Sequence, residues 1–317
     1  MGAAGTLRVN VLEQCQLRCA YCLPGAVKPF TPNPARLRVD EYRRLAAAFG
    51  AHGLRKVRFT GGEPLLHPEL EGVIAAFRAG LPQATLAVTT NGLLLPSRLE
   101  ALARAGLDAA TVHIDSLRPD RYRQSMGDGD LEVALQAVAM ARARLARVKL
   151  NCVVQKGLND DELWSFLALS RRLDVEVRFI ELMNTGSATH YTRGAFVSGA
   201  RMLALLAERE PIAPLRRRHE ADPAALYRTG SGITFGVIAS DTAPFCGACD
   251  RLRLTPDGRL RGCLYEAGGT SLRDALRGGA TDAALEALVG ATVHTKRSFH
   301  PASTPGLTPF SMSEAGG

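Results

Sequence analysis

The sequence predicts an α/β protein built on a parallel sheet. Two observations carry this. Between Leu7 and Leu182 six short apolar runs alternate with five amphipathic stretches, and polar or glycine-containing turns recur where the runs end. Strict strand–helix alternation argues parallel pairing. Six such strands form either an open sheet or a partial barrel, and in both cases ligands gather at the carboxyl ends of the strands.

Taken in order, the strand-like runs are Leu7–Leu12, Lys56–Thr60, Thr85–Thr90, Ala109–Ile114, Val148–Val154 and Glu176–Leu182. The helix-like stretches are Val39–Phe49, Pro68–Ala79, Ser97–Ala105, Asp130–Ala146 and Asp160–Arg172. Asp40 and Ser97 are expected to cap helix N-termini, and Gly53 and Gly106 to stop helices. The first connection, Glu13 to Arg38, is long and carries a Pro-rich stretch after Leu23-Pro24-Gly25. Loops of this length in compact domains are usually functional. After Leu182 the alternation stops. Residues Asn184 to Gly194 read as loop, 199–209 as helix, Ile233–Ser240 as strand, and Ser271–Arg277 and Ala283–Gly290 as helix. From Ser298 the chain is Pro- and Ser-rich and reads as a disordered tail ending Gly316-Gly317.

The chain has 317 residues, enough for a sizeable core, and 46% of them are hydrophobic. A net charge of +8 suits an Arg-rich solvated surface, a nucleic acid or a polyanionic small molecule. No apolar run reaches the length of a membrane span, and Met1 to Thr6 is too short and weakly apolar for a signal peptide. Seven cysteines without a secretion signal point to a reducing compartment, the cytoplasm, and to metal rather than disulfides.

Six of those cysteines form two triplets. Cys15, Cys19 and Cys22 have the spacing C-x3-C-x2-C directly after the first run. Pairing them as disulfides leaves one over, whereas they fit three corners of an iron–sulfur cube and leave one iron open. A structural zinc site is the alternative, but it needs a fourth ligand and no Cys or His follows Cys22 closely. Cys246, Cys249 and Cys263 form a second set, with Asp257-Gly258 as a hairpin turn that returns Cys263 toward the other two. A second open cluster, or a zinc knuckle completed by a distant His, would fit them. Arg251 and Arg253 share one face beside this set and would attract an anion, phosphate above all. The seventh cysteine, Cys152, reads as a small buried hydrophobe.

The remaining strand ends are polar. Gly61-Gly62-Glu63-Pro64 would let a ligand approach the backbone. Thr89-Thr90-Asn91-Gly92 ends the third run, and His113 alternates in phase with Asp115 at the fourth. A histidine there is either a satisfied structural residue or a ligand contact. Lys149 in a buried strand calls for an anion. The basic run Arg216 to His219 reads as a solvated face, with a binding site as the alternative.

Cys15–Cys22 followed by Gly61-Gly62-Glu63 resembles the radical S-adenosylmethionine (SAM) enzymes. The second triplet with Arg251-Leu252-Arg253, the run Phe179-Ile-Glu-Leu-Met183 and the terminal Gly-Gly narrow the resemblance to the GTP 3′,8-cyclases, over nearly the whole chain. The resemblance implies an incomplete (βα)6 TIM-like barrel over residues 1–190 and a C-terminal α+β extension over 191–317 that carries a second 4Fe–4S cluster. It implies that Cys15, Cys19 and Cys22 hold the first cluster and Cys246, Cys249 and Cys263 the second. Tyr21, Gly62, His113 and Met183 would lie at SAM. Arg8, Arg58, Thr89, Lys149, Arg251, Leu252 and Arg253 would contact GTP, and Arg251, Arg253, Gly316 and Gly317 would serve catalysis. The implied reaction is that of a lyase. A 5′-deoxyadenosyl radical takes hydrogen from C3′ of GTP and the C3′ radical closes on C8, which is the first step of molybdenum cofactor biosynthesis. Implied partners are a ferredoxin- or flavodoxin-type electron donor and a downstream cyclic pyranopterin monophosphate synthase. No nucleic acid or membrane partner is expected, and the state is monomer or homodimer. The sequence departs from the family pattern at His113, where serine is usual, and at Asp250, where asparagine is common. A paralogous radical SAM enzyme with an auxiliary cluster, acting on another nucleotide or a peptide, is the alternative; a zinc- and nucleic-acid-binding module is the non-enzyme alternative.

Overall fold

The computed structural model describes residues 5–19, 21–22, 33–183, 194–266 and 268–298. Its first part alternates without exception until two helices intervene before the fifth strand. The order is β1 (Thr6–Asn10), α1 (Val39–Gly50), β2 (Lys56–Thr60), α2 (Leu70–Gly80), β3 (Thr85–Thr90), α3 (Leu95–Arg104), β4 (Ala109–His113), α4 (Pro119–Met126), α5 (Leu131–Arg144), β5 (Arg147–Val154), α6 (Leu163–Leu173) and β6 (Glu176–Glu181). Strands β1 to β6 lie side by side in sequence order, all parallel. This is the incomplete (βα)6 barrel.

The C-terminal part adds α7 (Gly199–Ala207), β7 (Ile212–Leu215), β8 (Ala225–Thr229), β9 (Thr234–Ile238), β10 (Arg251–Leu254), β11 (Arg259–Arg261), β12 (Thr270–Ser271), α8 (Leu272–Arg277) and α9 (Asp282–Ser298). It extends the same sheet at both edges. Strand β9 runs parallel beside β6, and β10 parallel beside β1. The full order is β12-β11-β10-β1-β2-β3-β4-β5-β6-β9-β8-β7, and among the described residues β9 and β10 do not pair. The barrel is therefore open between those two strands.

Helices cover the outer face and bury its apolar residues. Leu7, Val9, Val57, Phe59, Leu86, Val88, Leu150 and Phe179 are all at 0% exposure. Helix α9 docks on α1 through Leu285, Val289 and Val293, so the C-terminal part shares the main core. No helix among the described residues is long and apolar enough to cross a membrane.

Three local expectations are corrected. The N-cap of α1 is Arg38, whose backbone N–H donates to Glu41 (2.8 Å), and Asp40 lies inside the first turn. Ser97 lies inside α3, because Pro96 presets the first turn and starts the helix at Leu95. Helix α4 was not expected at all. Its residues are mostly polar, and only Tyr122, Ser125 and Met126 are buried, so no apolar stripe announces it. Most of the Pro-rich stretch after Cys22, and the tail beyond Ser298, lie outside the described residues.

Candidate active site inside the barrel

The inner face of the sheet encloses a cavity of about 630 Å3, lined from β1 to β6, β9 and β10. Strand alternation decides what it contains. On β1, Thr6 and Arg8 face inward while Leu7 and Val9 face the helices. Register then sets the inner residues in rows. Arg8 lies between Arg58 on β2 and Arg253 on β10, Thr111 lies beside Lys149, and Asn151 beside Arg178.

The first triplet follows β1 at the carboxyl end of the barrel. Cys15, Cys19 and Cys22 all line the cavity and carry free thiols. The Cys15 sulfur accepts from the Leu17 amide (3.4 Å) and from the Asn91 side chain (3.9 Å). Burial, and then the nearby Glu63, push the Cys15 thiol up to about 12. Burial and Cys15 do the same for Cys22, also to about 12.

The paired glycines line the cavity and also pack closely against the chain. A Cβ on Gly62 would stand 2.2 Å from the Gln14 carbonyl oxygen, and one on Gly61 2.5 Å from that of Leu12. Their backbone lies flat against the cysteine loop, with Gly62 N–H donating to Leu12 and Glu63 N–H to Gln14, both at 2.8 Å. The close approach is of chain to chain, and it fixes the triplet over the strand ends. Glu63 is 1% exposed and accepts from Leu65 N, Thr90 Oγ1 and Asn91 N at 2.7–3.0 Å. Burial raises its carboxyl to about 7 despite those donors.

Beside Cys22, Tyr21 donates to Asp115 (2.7 Å) and lies 2.5 Å from His113 Nε2. Asp115 is wholly buried. It also takes hydrogen bonds from Ser125 (2.9 Å) and Val153 N–H (2.8 Å), and meets His113 Nε2 at 2.9 Å. Burial opposes charge on His113, but the Asp115 carboxylate outweighs it and holds the imidazole above its ordinary value. Asp115 itself is held below the usual carboxylate range, because His113 and its donors overcome the cost of burial. Met183 lines the cavity after β6, where Glu181 accepts the Gly199, Asp241 and Thr242 amides and ties the two halves of the chain together.

The second triplet lies at the opposite, amino end. Cys246 and Cys249 sit on a short turn before β10, and the β10–β11 hairpin returns Cys263 to the same cavity wall. Gly258 holds φ at +78° in that turn, as the Asp-Gly pair suggested. Lys296 of α9 donates to the Cys249 sulfur (3.6 Å) and the Gly262 carbonyl (2.7 Å). Arg251 stacks over Phe245, 4.5 Å from the ring centre. Asp250 lies 3.6 Å from Arg55, which offsets its charge.

Ten arginines and lysines line the cavity against four carboxylates. Burial, with repulsion from neighbouring cations, weakens the hold on protons of Lys56, Arg58, Lys149 and Arg253 among them. Burial and then Arg58 bring Lys56 down to about 7; burial and then Arg178 bring Lys149 to about 8 and Arg58 to about 10. Burial and Arg251 bring Arg253 to about 10. Arg58 donates to Thr89 (2.7 Å) and Thr111 (2.9 Å). The anion that Lys149 called for is Glu176, at 3.0 Å. A surplus of positive charge on a cavity wall, part of it desolvated, favours an anion.

Both triplets fit cluster ligation: each offers three unpaired thiols on a cavity wall, with N–H donors near Cys15 and Cys249. Among the described residues no three Cys, His, Asp or Glu side chains converge on a point close enough for a single ion. Of the expected site residues, Arg8, Tyr21, Arg58, Gly62, Thr89, His113, Lys149, Met183, Arg251 and Arg253 share the cavity with the six cysteines. Leu252 does not. It pairs with Leu7 on the outer face and is buried in the core at 0% exposure. Gly316 and Gly317 lie outside the described residues. Sequence reasoning missed Thr111, Asn151 and Glu176, which continue the same alternation, and the buried role of Asp115.

Residues 9–169 match the model of the radical SAM superfamily, and residues 175–301 that of molybdenum cofactor synthesis C. The chain is 41% identical over 283 residues to GTP 3′,8-cyclase 3 of Mycobacterium tuberculosis (strain CDC 1551 / Oshkosh), covering 87% of this chain and 75% of that one. It is 38% identical over 316 residues to GTP 3′,8-cyclase of Heliobacterium modesticaldum, covering 98% and 97%. It is 36% identical over 297 residues to molybdenum cofactor biosynthesis protein 1 of Bos taurus, spanning 47% of that protein. In fold it resembles Streptococcus suis SuiB bound to S-adenosylmethionine, with a TM-score of 0.62 and 12% identity over 86% of this chain and 65% of that one, just under two thirds of its length. With two thirds or more of a relative covered at this identity, and half the chain under one family model, the chain belongs to the radical SAM superfamily and, within it, to the GTP 3′,8-cyclase family.

Proposed function

We propose that the chain converts GTP to 3′,8-cyclo-7,8-dihydro-GTP, the first step of molybdenum cofactor biosynthesis, with SAM and a 4Fe–4S cluster at Cys15, Cys19 and Cys22. The observation that carries this reading is that both cysteine triplets line one cavity whose wall bears ten cationic side chains. The cluster and SAM together supply a carbon radical strong enough to take a hydrogen atom from a ribose.

The chain's own residues bind, orient and shield. Arg8, Lys56, Arg58, Lys149 and Arg178 give the triphosphate fixed positive charge, and Thr89 and Thr111 hold Arg58 in place. Arg251 and Arg253 face the nucleotide at the second triplet. There Cys246, Cys249 and Cys263 would hold a second 4Fe–4S cluster, and three thiolate ligands would leave one iron free to bind the guanine base. Tyr21, Gly62, His113 and Met183 form the SAM side, with Asp115 keeping Tyr21 and His113 in place. Strand β1, five residues and so about 16 Å long, separates the two ends. A nucleotide spanning that depth excludes water from the reacting carbon.

The division into a core over 1–190 and an extension over 191–317, the entry of Gly316-Gly317 into the site, a ferredoxin- or flavodoxin-type donor, a downstream cyclic pyranopterin monophosphate synthase and a cytoplasmic location belong to the same reading. The test is anaerobic turnover of reconstituted protein with GTP, SAM and dithionite. Cyclised GTP formed alongside 5′-deoxyadenosine is expected. 5′-Deoxyadenosine without cyclised GTP would remove the substrate assignment and leave the radical class intact.

A further inference from the structure

The basic run Arg216 to His219 belongs to the connection between β7 and β8, and that connection is not a free surface loop. It crosses the amino end of the barrel and touches both sides of the gap between β9 and β10. Arg218 NH1 meets Glu176 at the start of β6 (3.1 Å). His219 Nε2 lies 3.0 Å from Arg55, just before β2. The Ala221 carbonyl accepts from Arg251 on β10 (3.1 Å), and Arg217 ties the strap to itself through the Asp222 carbonyl (2.8 Å). Ala221 and Ala224 are buried and anchor it, while the Arg218 side chain keeps 54% of its surface exposed.

Two features of the strap call for an anion. The first is charge. Glu176 already holds Lys149 (3.0 Å) and Arg178 (2.7 Å) when Arg218 joins them, so one carboxylate faces three cations. The second is hydrogen-bond polarity. His219 Nδ1 accepts from the Ala221 amide (3.1 Å), which puts the ring proton on Nε2, against a guanidinium that can only donate. In the other tautomer the Ala221 amide faces an N–H instead. Either way one of the two pairs sets donor against donor; Asp250 Oδ2, 3.6 Å from the same Arg55 nitrogen, lies beyond hydrogen-bond distance, and an oxyanion between Arg55 and His219 supplies the acceptor. Both side chains also line the cavity that holds Lys56, Arg58 and Lys149.

We propose that Arg218 and His219, with Arg55, form an outer phosphate subsite that takes the terminal phosphate of the nucleotide and makes the site select a triphosphate over shorter phosphate chains. This rests on the reading that GTP occupies the cavity. On binding, Arg218 exchanges Glu176 for phosphate oxygen.

The test is the affinity of GTP, GDP and GMP for reconstituted wild-type protein, R218A, R218K and H219A, measured anaerobically by titration calorimetry. R218A is expected to weaken GTP about tenfold, as for loss of one charge-assisted contact, and to leave GMP within about twofold. R218K is expected to recover part of the loss, and H219A to show a smaller loss with the same ordering. Equal weakening of all three nucleotides by R218A, or none, would overturn the proposal. If R218A also loses thermal stability, E176Q separates the roles. A purely structural Arg218 predicts the same loss for every nucleotide in both variants, which again overturns it. Failure of wild-type protein to bind GTP would instead remove the GTP reading itself.

Discussion

If the cationic wall holds the triphosphate, nucleotide affinity must fall as pH rises through the range where two of its lysines lose their protons. In the free protein Lys56 titrates at about 7 and Lys149 at about 8, against about 10.4 for an ordinary lysine. Both are lowered because burial and neighbouring guanidiniums disfavour the charged form. The opposite charge of a polyanion offsets both causes and draws the amines back toward their ordinary value. Binding above pH 7 therefore takes up protons, up to one per lysine. At about pH 9 the protonation of Lys56 costs about two powers of ten and that of Lys149 about one, so affinity falls by up to about a thousandfold between pH 6 and pH 9. A phosphate monoester takes its second ionisation at about 6, so the profile is read between about pH 7 and about pH 9. The assay is calorimetric titration of GTP into reconstituted protein in buffers of different ionisation enthalpy, which reads proton uptake directly. Lys149→Met should remove up to one proton of uptake and flatten the upper part of the profile. Affinity constant between pH 7 and 9, with no proton uptake, would show that the phosphates lie elsewhere.

Three further outcomes follow from single contacts. Gly62→Ala drives a Cβ into the Gln14 carbonyl, so the first triplet should lose its iron while the second keeps its own; iron content per chain would fall to about half. Asp115→Asn removes the charge that holds His113 above its ordinary value, so the imidazole should titrate below about 6.5, read by NMR of the ring protons in the iron-free protein. The stability profile changes sign with it. Wild-type His113 contributes stability that is full below about 6.5 and lost as pH rises through its raised folded value, whereas in Asp115→Asn burial alone acts and stability rises with pH below about 6.5. Arg58→Ala removes a guanidinium that also orders Thr89 and Thr111, and GTP binding should weaken at least tenfold, about 1.4 kcal/mol.

Much of the barrel could be read directly from the residues. The bounds of β2 and β3 match their apolar runs, because Lys56–Thr60 alternates, Thr85–Thr90 has a compact apolar centre, and both end in polar turns. The cysteines and most of the cations were legible for the same reason, since each follows or occupies a strand. What escaped depends on tertiary placement. Glu176 is the partner of Lys149 only because β6 pairs with β5 in a register that sets them opposite. Leu252 lies between two inward arginines, and strand alternation sends it to the core. The glycines of Gly61-Gly62 need the cysteine loop on the page before their purpose is visible. Arg216 to His219 looks solvated in sequence, because nothing local records that the strap crosses a barrel mouth. Strand β7 is a short edge strand carrying Pro214, β8 lies between it and β9, and neither shows a strong alternating pattern.

The central claim is that two open triplets, at opposite ends of one barrel, each hold a cluster. Iron and sulfide per chain after anaerobic reconstitution test it most directly, in wild type, Cys19→Ala and Cys249→Ala. The account predicts about eight irons in wild type and about four in each variant, with SAM cleavage lost in Cys19→Ala and GTP binding weakened in Cys249→Ala. About four irons in wild type, unchanged by Cys249→Ala, or zinc in place of iron at the second triplet, would contradict it.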